Sequence, residues 1–496
     1  MKKNYLFSAM MFVLVAFCSC TNTDYQKAIP AEATLVVKAD FKSISEKADF
    51  KHSLVMSLIE GSLAKVVKSE DTDEVKEYVD DPMKMGIDFR MPLYFFMVGN
   101  ETFGLTMKVN DEGSVKDFLL LLKKQGIASK PVEKDGLMCG TLLDDIHYAY
   151  DANSLLLLKS GQGSGATSRL TRDLMNLKEK DSFVSTDGFD RMNEEDKDIV
   201  SYSSGMMPKD VGALSSFFSL VLPPSLSAND LYFISWTNFE NGRMMAHSRV
   251  YGKTDKAQKE LKEMDKNFNT ISGKYIGRTS EDLLVWFGTN VKGDWLLSKL
   301  KGIPQAKEML FMAERAIDIE QMLKATDGDV AVEIQAKDMN FYSKDPFAFV
   351  AYAELNNSDF LADVDDWKNS MKDYGMTMRD NGENQYLLDI DGETYAWGVQ
   401  DKNFYFASEK ASHTDISKDG TALNAYKGTI ETCKFFLYVD LQKIPWADFS
   451  RKNFLFFLAE PLGKLRNLEV ESASIDEVTM TVELKERDKN FLKQIL

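Results

Sequence analysis

Apolar positions in this chain recur with two spacings, alternate residues in short runs and every third or fourth residue in longer ones. The first predicts strands and the second helices. Ala33 to Ala39 reads as a strand and Ile44 to Val67 as a helix, followed by an acidic interruption from Asp71 to Asp81. Beyond Pro92, Leu93 to Val98 and Phe103 to Val109 read as strands around a turn near Asn100, and Val115 to Lys124 as a helix capped by Ser114. A hairpin of Asp145 to Tyr150 and Ser154 to Lys159 ends the segment.

The order β-α-β-β-α returns three times. The second pass has Asp198 to Ser203, a helix over Val211 to Val221, strands over Leu231 to Thr237 and Arg243 to Tyr251 across Asn241-Gly242, and a helix over Lys256 to Met264. The third has Leu283 to Gly288, a helix over Trp295 to Ala313, strands over Asp329 to Gln335 and Phe347 to Leu355, and a helix over Phe360 to Met371. Three short strands, Gln385 to Ile390, Thr394 to Val399 and Phe404 to Ala407, extend it around an Asp391-Gly392 turn. The fourth has Lys434 to Val439, a helix over Phe454 to Ala459, strands over Asn467 to Ile475 and Val478 to Lys485, and a terminal helix from Lys489. The expected fold is α+β: four tandem two-layer units over residues 31–160, 197–277, 281–409 and 431–496, with hairpin extensions in the first and third. Each should lay two antiparallel strands beside its opening strand, with helices over one face. Residues 161–196 read as linker-rich, and Ser160 to Thr167 as a loop that lacks the Gly-Lys-Ser/Thr of a phosphate cradle.

The first residues change the setting of the rest. Lys2 and Lys3 precede an apolar run from Leu6 to Phe17, then Cys18, Ser19 and Cys20, then a polar stretch. This is the layout of a secretory leader, too short for a membrane span of ~20 residues. It resembles a bacterial lipoprotein signal, which implies diacylglycerol on Cys20, a mature chain starting there, and membrane lipid as a partner. Small Ser19 fits the position before the modified cysteine, whereas Phe17 before Cys18 does not. Residues 21–30 read as a flexible tether.

Composition narrows the chemistry. With 60 Lys plus Arg against 77 Asp plus Glu, a net charge of −17, the chain is not expected to bind nucleic acid. Cys139 and Cys433, far apart in sequence, read as buried thiols rather than a disulfide scaffold. His52, His147, His247 and His413 are scattered, with none of the close pairs of zinc sites, and no Gly-x-Ser-x-Gly elbow occurs. Ser160, Ser164 and Ser168 have no elbow context. Asp389, Asp391 and Glu393 alternate around a hairpin but fall short of a calcium loop, and Asp363, Asp365, Asp366, Glu194, Glu195 and Asp196 read as solvated faces. No catalytic residue, cofactor or metal ligand is expected. Trp286, Trp295, Trp397, Trp446 and the pairs Phe95-Phe96, Phe217-Phe218 and Phe456-Phe457 read mainly as packing, although a surface cluster of such rings would suit a protein or a sugar.

The leader, the segment Ile29 to Val37, the strand entry Asp327 to Val332 and the repeated units together resemble a family of large exported lipoproteins from gut Bacteroidetes, known as domain of unknown function 4836. That resemblance implies a Gram-negative envelope location and carries over no catalytic residue. The function expected is a non-enzymatic envelope lipoprotein, at the outer membrane, that binds or scaffolds an envelope protein or glycan. The alternatives are a glycan-binding accessory protein and a hydrolase of glycans or envelope polymers using paired carboxylates. Cys20→Ala should abolish lipid attachment and Cys18→Ala should not. Intact mass of detergent-extracted protein reads the difference, and a fully lipidated Cys20→Ala variant would refute the assignment.

Overall fold

A computed structural model of the chain describes residues 24–50, 72–204, 226–302, 307–411, 421–448 and 459–496, apart from 309, 312–313, 315, 338 and 340–345. Cys20, His52, His413, the pairs Phe217-Phe218 and Phe456-Phe457, and the helix expected over Val211 to Val221 lie outside the described residues, as does most of that over Phe454 to Ala459. The chain forms two compact units. Among the described residues the first takes in 24–50, 72–204, Ala228–Lys253 and Glu486–Leu496, and the second includes those within Thr254–Lys485.

In the first unit the strands are β1 (Leu35–Ala39), β2 (Leu93–Val98), β3 (Thr102–Lys108), β4 (Val132–Lys134), β5 (Leu137–Leu142), β6 (Ile146–Tyr150), β7 (Ser154–Ser160), β8 (Ile199–Ser204), β9 (Leu231–Glu240) and β10 (Arg243–Gly252). They form one antiparallel sheet in the order β4-β5-β6-β7-β3-β2-β1-β8-β9-β10. The second unit has a two-residue β11 (Phe268–Asn269) on the end of β12 (Leu283–Lys292), then β13 (Thr326–Ala336), β14 (Phe347–Leu355), β15 (Thr377–Asp380), β16 (Gln385–Ile390), β17 (Glu393–Gln400), β18 (Asn403–Ser408), β19 (Phe435–Asp440), β20 (Leu465–Ser474) and β21 (Glu477–Leu484). Its order is β15-β16-β17-β18-β14-β13-β12-β19-β20-β21. Leaving out β11 and numbering within each unit, both sheets run fourth, fifth, sixth, seventh, third, second, first, eighth, ninth, tenth. The four segments read from the sequence thus occur as two pairs, each pair joined through its opening strands.

Among the described residues the helices are α1 (Phe41–Ala48), α2 (Thr72–Asp80), α3 (Glu112–Lys124), α4 (Ser164–Met175), α5 (Asp187–Asn193), α6 (Asp255–Asp265), α7 (Gly293–Gly302), α8 (Ile319–Ala325), α9 (Val364–Lys372), α10 (Thr421–Asn424), α11 (Lys427–Ile430), α12 (Ala459–Gly463) and α13 (Phe491–Ile495). Several depart from expectation for identifiable reasons. Asp49, in the left-handed region at φ 50°, caps α1, the rest of the helix expected as far as Val67 lies outside the described residues, and residues 72–80 of the acidic interruption are the helix α2. The cap of α3 is Asp111, whose carboxylate accepts from the Ser114 N–H at 2.6 Å. Residues 161–196, read as a linker, hold α4 and α5, whose Leu174 and Met192 are buried. The closing helices of the second and fourth segments separate from their strands, since α6 belongs to the second unit and α13 to the first. In the first unit Phe491 of α13 stacks on Phe239 at 6.1 Å.

Helices cover both sheet faces, not one. Strand β7 shows why: Leu155, Leu156, Leu157 and Leu158 are all buried, so alternate side chains on each face need a cover. Leu155 and Leu157 pack under Val115, Leu119 and Leu122 of α3, while Leu156 and Leu158 pack with Leu174 of α4, Phe183 and Tyr25. In the second unit Tyr275, Ile276 and Leu423 complete one core, while α9 covers the other face only where it packs on Leu388, Trp397 and Val399 of β16 and β17. Nor are residues 24–30 a free tether. Asp24–Ala28 is a 3-10 turn whose Tyr25 is fully buried and donates to the Pro92 carbonyl at 2.7 Å, while Gln26 donates to Tyr94 Oη at 2.9 Å.

Asp198, buried at the head of β8, gathers Lys47 Nζ at 2.7 Å, Ser43 Oγ at 2.5 Å and the Phe239 N–H at 2.7 Å. Asp198→Ala would orphan that N–H and leave Lys47 Nζ with only Asn238 Oδ1, at 3.1 Å, a loss of about 3 kcal/mol. Urea unfolding would check it, and a change under about 0.5 kcal/mol, the range of ordinary surface substitutions, would contradict the role given to this carboxylate.

Candidate binding surface

Strand alternation gives the two faces of the second sheet different surroundings. Trp286 and Tyr438 face each other across β12 and β19 and, with Val350 and Phe436, pack into the core of Tyr275 and Leu423. Residues one step along point the other way. Met480, Val470, Leu437, Phe287, Val332, Ala351 and Phe406 lie in register across β21, β20, β19, β12, β13, β14 and β18. Every one of them is only half-buried. On the same face Phe406 stacks on Tyr395 at 5.4 Å and meets Phe349 at 5.7 Å, and Phe347 is 51% exposed. The row runs on to Trp397, which is buried under Trp367 of α9.

The corresponding row of the first unit reads Ser248, Ser235, Ser201, Val37, Phe95, Leu105 and Leu157. Its first part is a hydroxyl ladder in which Ser235 donates to Ser248 Oγ at 2.8 Å. The two units therefore share a strand order without sharing a surface.

The residues singled out in the sequence go to separate places. Asp389 is held by the Arg379 guanidinium at 3.1 and 3.2 Å and by Thr394 Oγ1 at 2.8 Å, and these bonds, Arg379's first, lower its pKa. Asp391, at φ 53°, makes the turn, and Glu393 is exposed. Asp365 pairs with Lys368 at 3.0 Å. Among the described residues no group of three His, Cys, Asp or Glu could hold a metal ion. Cys139 and Cys433 are buried thiols in different units, and burial pushes Cys433 up to about 11. Trp286 and Trp397 are core residues, Trp295 meets Phe268 edge-on at 4.7 Å, and Trp446 donates to the Leu441 carbonyl at 2.9 Å. His247 stacks on Trp236 at 5.0 Å. A cavity of about 30 Å³ under α3 is lined by apolar side chains such as Met85, Met107 and Phe118. No helix among the described residues is long and apolar enough to cross a membrane.

Two features were not legible in the sequence. Ser164 Oγ lies 3.1 Å from His147 Nε2, a contact between residues on a helix and a strand that no spacing rule encodes. Glu333 is buried at 1% exposure on the core face, opposite Trp286 and Val350. The Ser280 N–H and Gln335 Nε2 donate to its Oε1 at 2.9 and 3.1 Å, while its Oε2 and the neighbouring Tyr352 Oη have no partner. Strand alternation predicts that position 333 faces inward, but an acidic residue there carries no sign of it.

Fold and surface define an α+β protein built from two sheets of one topology. The chain belongs to the family described as Domain of unknown function (DUF4836), whose profile matches residues 25–470. No curated protein matches the sequence. Among solved structures it is similar to crystal form IV of TP0453, at 11% identity and a TM-score of 0.27 over 45% of this chain and 79% of that one. Crystal form III of TP0453 matches at 10% identity and 0.26, over 49% and 86%.

Loss of hydration raises the Glu333 carboxyl from 4.5 to about 7, against the pull of its two donors. A raised carboxyl pKa favours the folded state only while the group is neutral. The contribution is complete below pH 4.5 and is lost as pH rises to about 7, a difference of roughly 3 kcal/mol. Glu333→Gln should therefore leave stability near wild type at pH 4.5 and raise it by up to that amount at pH 8. Denaturant unfolding at both pH values tests this, and an unchanged pH dependence in the variant would contradict it.

Proposed function

We propose that this protein is a cell-envelope lipoprotein, held to the outer membrane of a bacterium through lipid on Cys20, that acts as a binding or scaffolding module. The observation that carries the binding reading is the apolar row across seven strands of the second unit, half-buried along its length and bordered by the exposed Phe347. Covering apolar surface of this kind contributes ~25 cal/mol per Å², so a broad row suits an apolar segment of an envelope protein better than a small polar solute. A glycan is the second reading, supported by the stacked Tyr395 and Phe406 rings on that face. For the hydrolase alternative, Glu469 and Glu471 of β20 stand two residues apart on one strand face, and burial raises the pKa of both.

Burial of Tyr25 supports a short tether. From Cys20 to Tyr25 the chain can span at most about 18 Å, so lipid on Cys20 would keep the first unit at the bilayer surface. A photo-crosslinking residue at Phe347 should give a discrete adduct in the native envelope, and one at the equally exposed Tyr374 should not. The same products from both positions would argue against this face as the binding surface.

A further inference from the structure

Strand β7 ends at Ser160, the chain turns through Gly161, Gln162 and Gly163, and α4 begins at Ser164. This strand–turn–helix replaces the loop expected over Ser160 to Thr167. Gly163 takes φ +82°, a conformation that side chains rarely adopt, and the turn it makes leaves Ser164 exposed on the first residue of a twelve-residue helix. Below it, His147 of β6 is 4% exposed and held by the sheet, with Nε2 3.1 Å from Ser164 Oγ.

Three further features bear on what this pair can do. Burial lowers the His147 pKa from 6.5, opposed by the charge of Asp145, so the ring is neutral at pH 7. Its tautomer with the proton on Nδ1 leaves Nε2 free to accept from the Ser164 hydroxyl. The first-turn N–H groups of a helix have no partner within it, and no side chain caps α4. A Cβ at Gly163 or Gly165 would meet nothing within 4 Å, so both sides of Ser164 are open to an approaching molecule.

The geometry points to Ser164 as a nucleophile toward short-chain carboxylic esters, with His147 as its general base and the first turn of α4 as the anion-stabilising site. This goes beyond the binding role and departs from a strictly non-enzymatic module. Ser164 Oγ would attack the ester carbonyl carbon as its proton passes to His147 Nε2, and the carbonyl oxygen, now negative, would sit against the open N–H groups of α4. Collapse would expel the alcohol, which takes the proton back from His147 and leaves an acyl group on Ser164. Water would then lose a proton to His147 and attack the acyl carbon, and collapse would expel Ser164 Oγ, which takes that proton back from His147 as the carboxylic acid leaves. Short acyl groups are favoured because Ser164 is exposed, so a long apolar chain on it would stay largely in water. Asp145 is paired with Lys159 at 2.6 Å, so the arrangement is a serine–histidine pair rather than a triad.

A fluorophosphonate probe applied to the folded full-length protein tests it, with intact mass and peptide mapping as the readout. One adduct on Ser164 is expected, absent in Ser164→Ala and formed at least ~100-fold more slowly in His147→Gln, the smaller end of what a general base contributes. No adduct on Ser164, or equal rates in wild type and His147→Gln, would overturn the assignment. Because His147 is buried and its variant could fail to fold, the wild-type labelling rate is also followed with pH. It should fall about tenfold per unit on the acid side of the His147 titration. A rate that stays flat across the His147 titration, followed independently by the NMR signals of that ring, would equally overturn it. Phenyl acetate hydrolysis by wild type that is lost in Ser164→Ala would extend the result from the probe to esters, and hydrolysis unchanged in that variant would count against it. Neither readout depends on what occupies the apolar row, so the two proposals fail separately.

Discussion

Everything in each unit depends on one antiparallel pairing, that of its first and eighth strands. In the first unit Leu35 to Ala39 lie against Ser203 to Ile199, and in the second Val285 to Thr289 lie against Val439 to Phe435. A three-stranded segment would leave apolar residues of one face in water. Joined through their opening strands, two segments make a sheet broad enough to carry a core on each side. A slip of one residue in this pairing would exchange the faces of one half of the sheet. An ion pair stands at the head of the eighth strand in both units, Asp198 with Lys47 in one and Lys434 with Asp265, at 2.6 Å, in the other. The two pairs have opposite polarity at the same topological position, which suggests that a fixed register matters more than which charge provides it.

Because side chains alternate, a duplicated backbone does not oblige its faces to stay alike. The hydrogen-bond ladder is indifferent to what projects from it. The row through Ser248, Ser235 and Ser201 in one unit and that through Met480, Val470 and Leu437 in the other occupy corresponding strands with opposite polarity. The serine row satisfies its hydroxyls partly among themselves, as between Ser235 and Ser248. The apolar row cannot satisfy itself in that way and is stabilised only by being covered. The chemistry a surface presents on a duplicated scaffold can thus differ between corresponding faces of the two copies.

Local chemistry made much of the element order readable. The strands around Asn241-Gly242 and Asp391-Gly392 follow from turn residues that accept positive φ, and indeed Gly242, Asp391 and Gly392 all take it. Helix α3 follows from apolar spacing between Val115 and Leu122. Readings failed where a polar or glycine-rich stretch is ordered by distant contacts. Residues 24–30 look like a tether because their polarity is local, yet Tyr25 is buried by Pro92 and Tyr94, more than sixty residues away. The glycines from Gly161 to Gly165 look like a loop because helix propensity is low there, although α4 begins among them.

By itself the sequence determined the α+β class, the recurring β-α-β-β-α order and the positions of most turns, since periodicity and turn chemistry act over a few residues. Only the tertiary structure decided that the segments pair through their opening strands, that helices cover both faces, and that α6 and α13 leave the strands they follow. It alone brought Ser164 to His147, seventeen residues apart, and set Glu333 between Trp286 and Val350. Each of these rests on contacts between residues distant in sequence, and the free energy of such contacts depends on what the rest of the fold has already brought close.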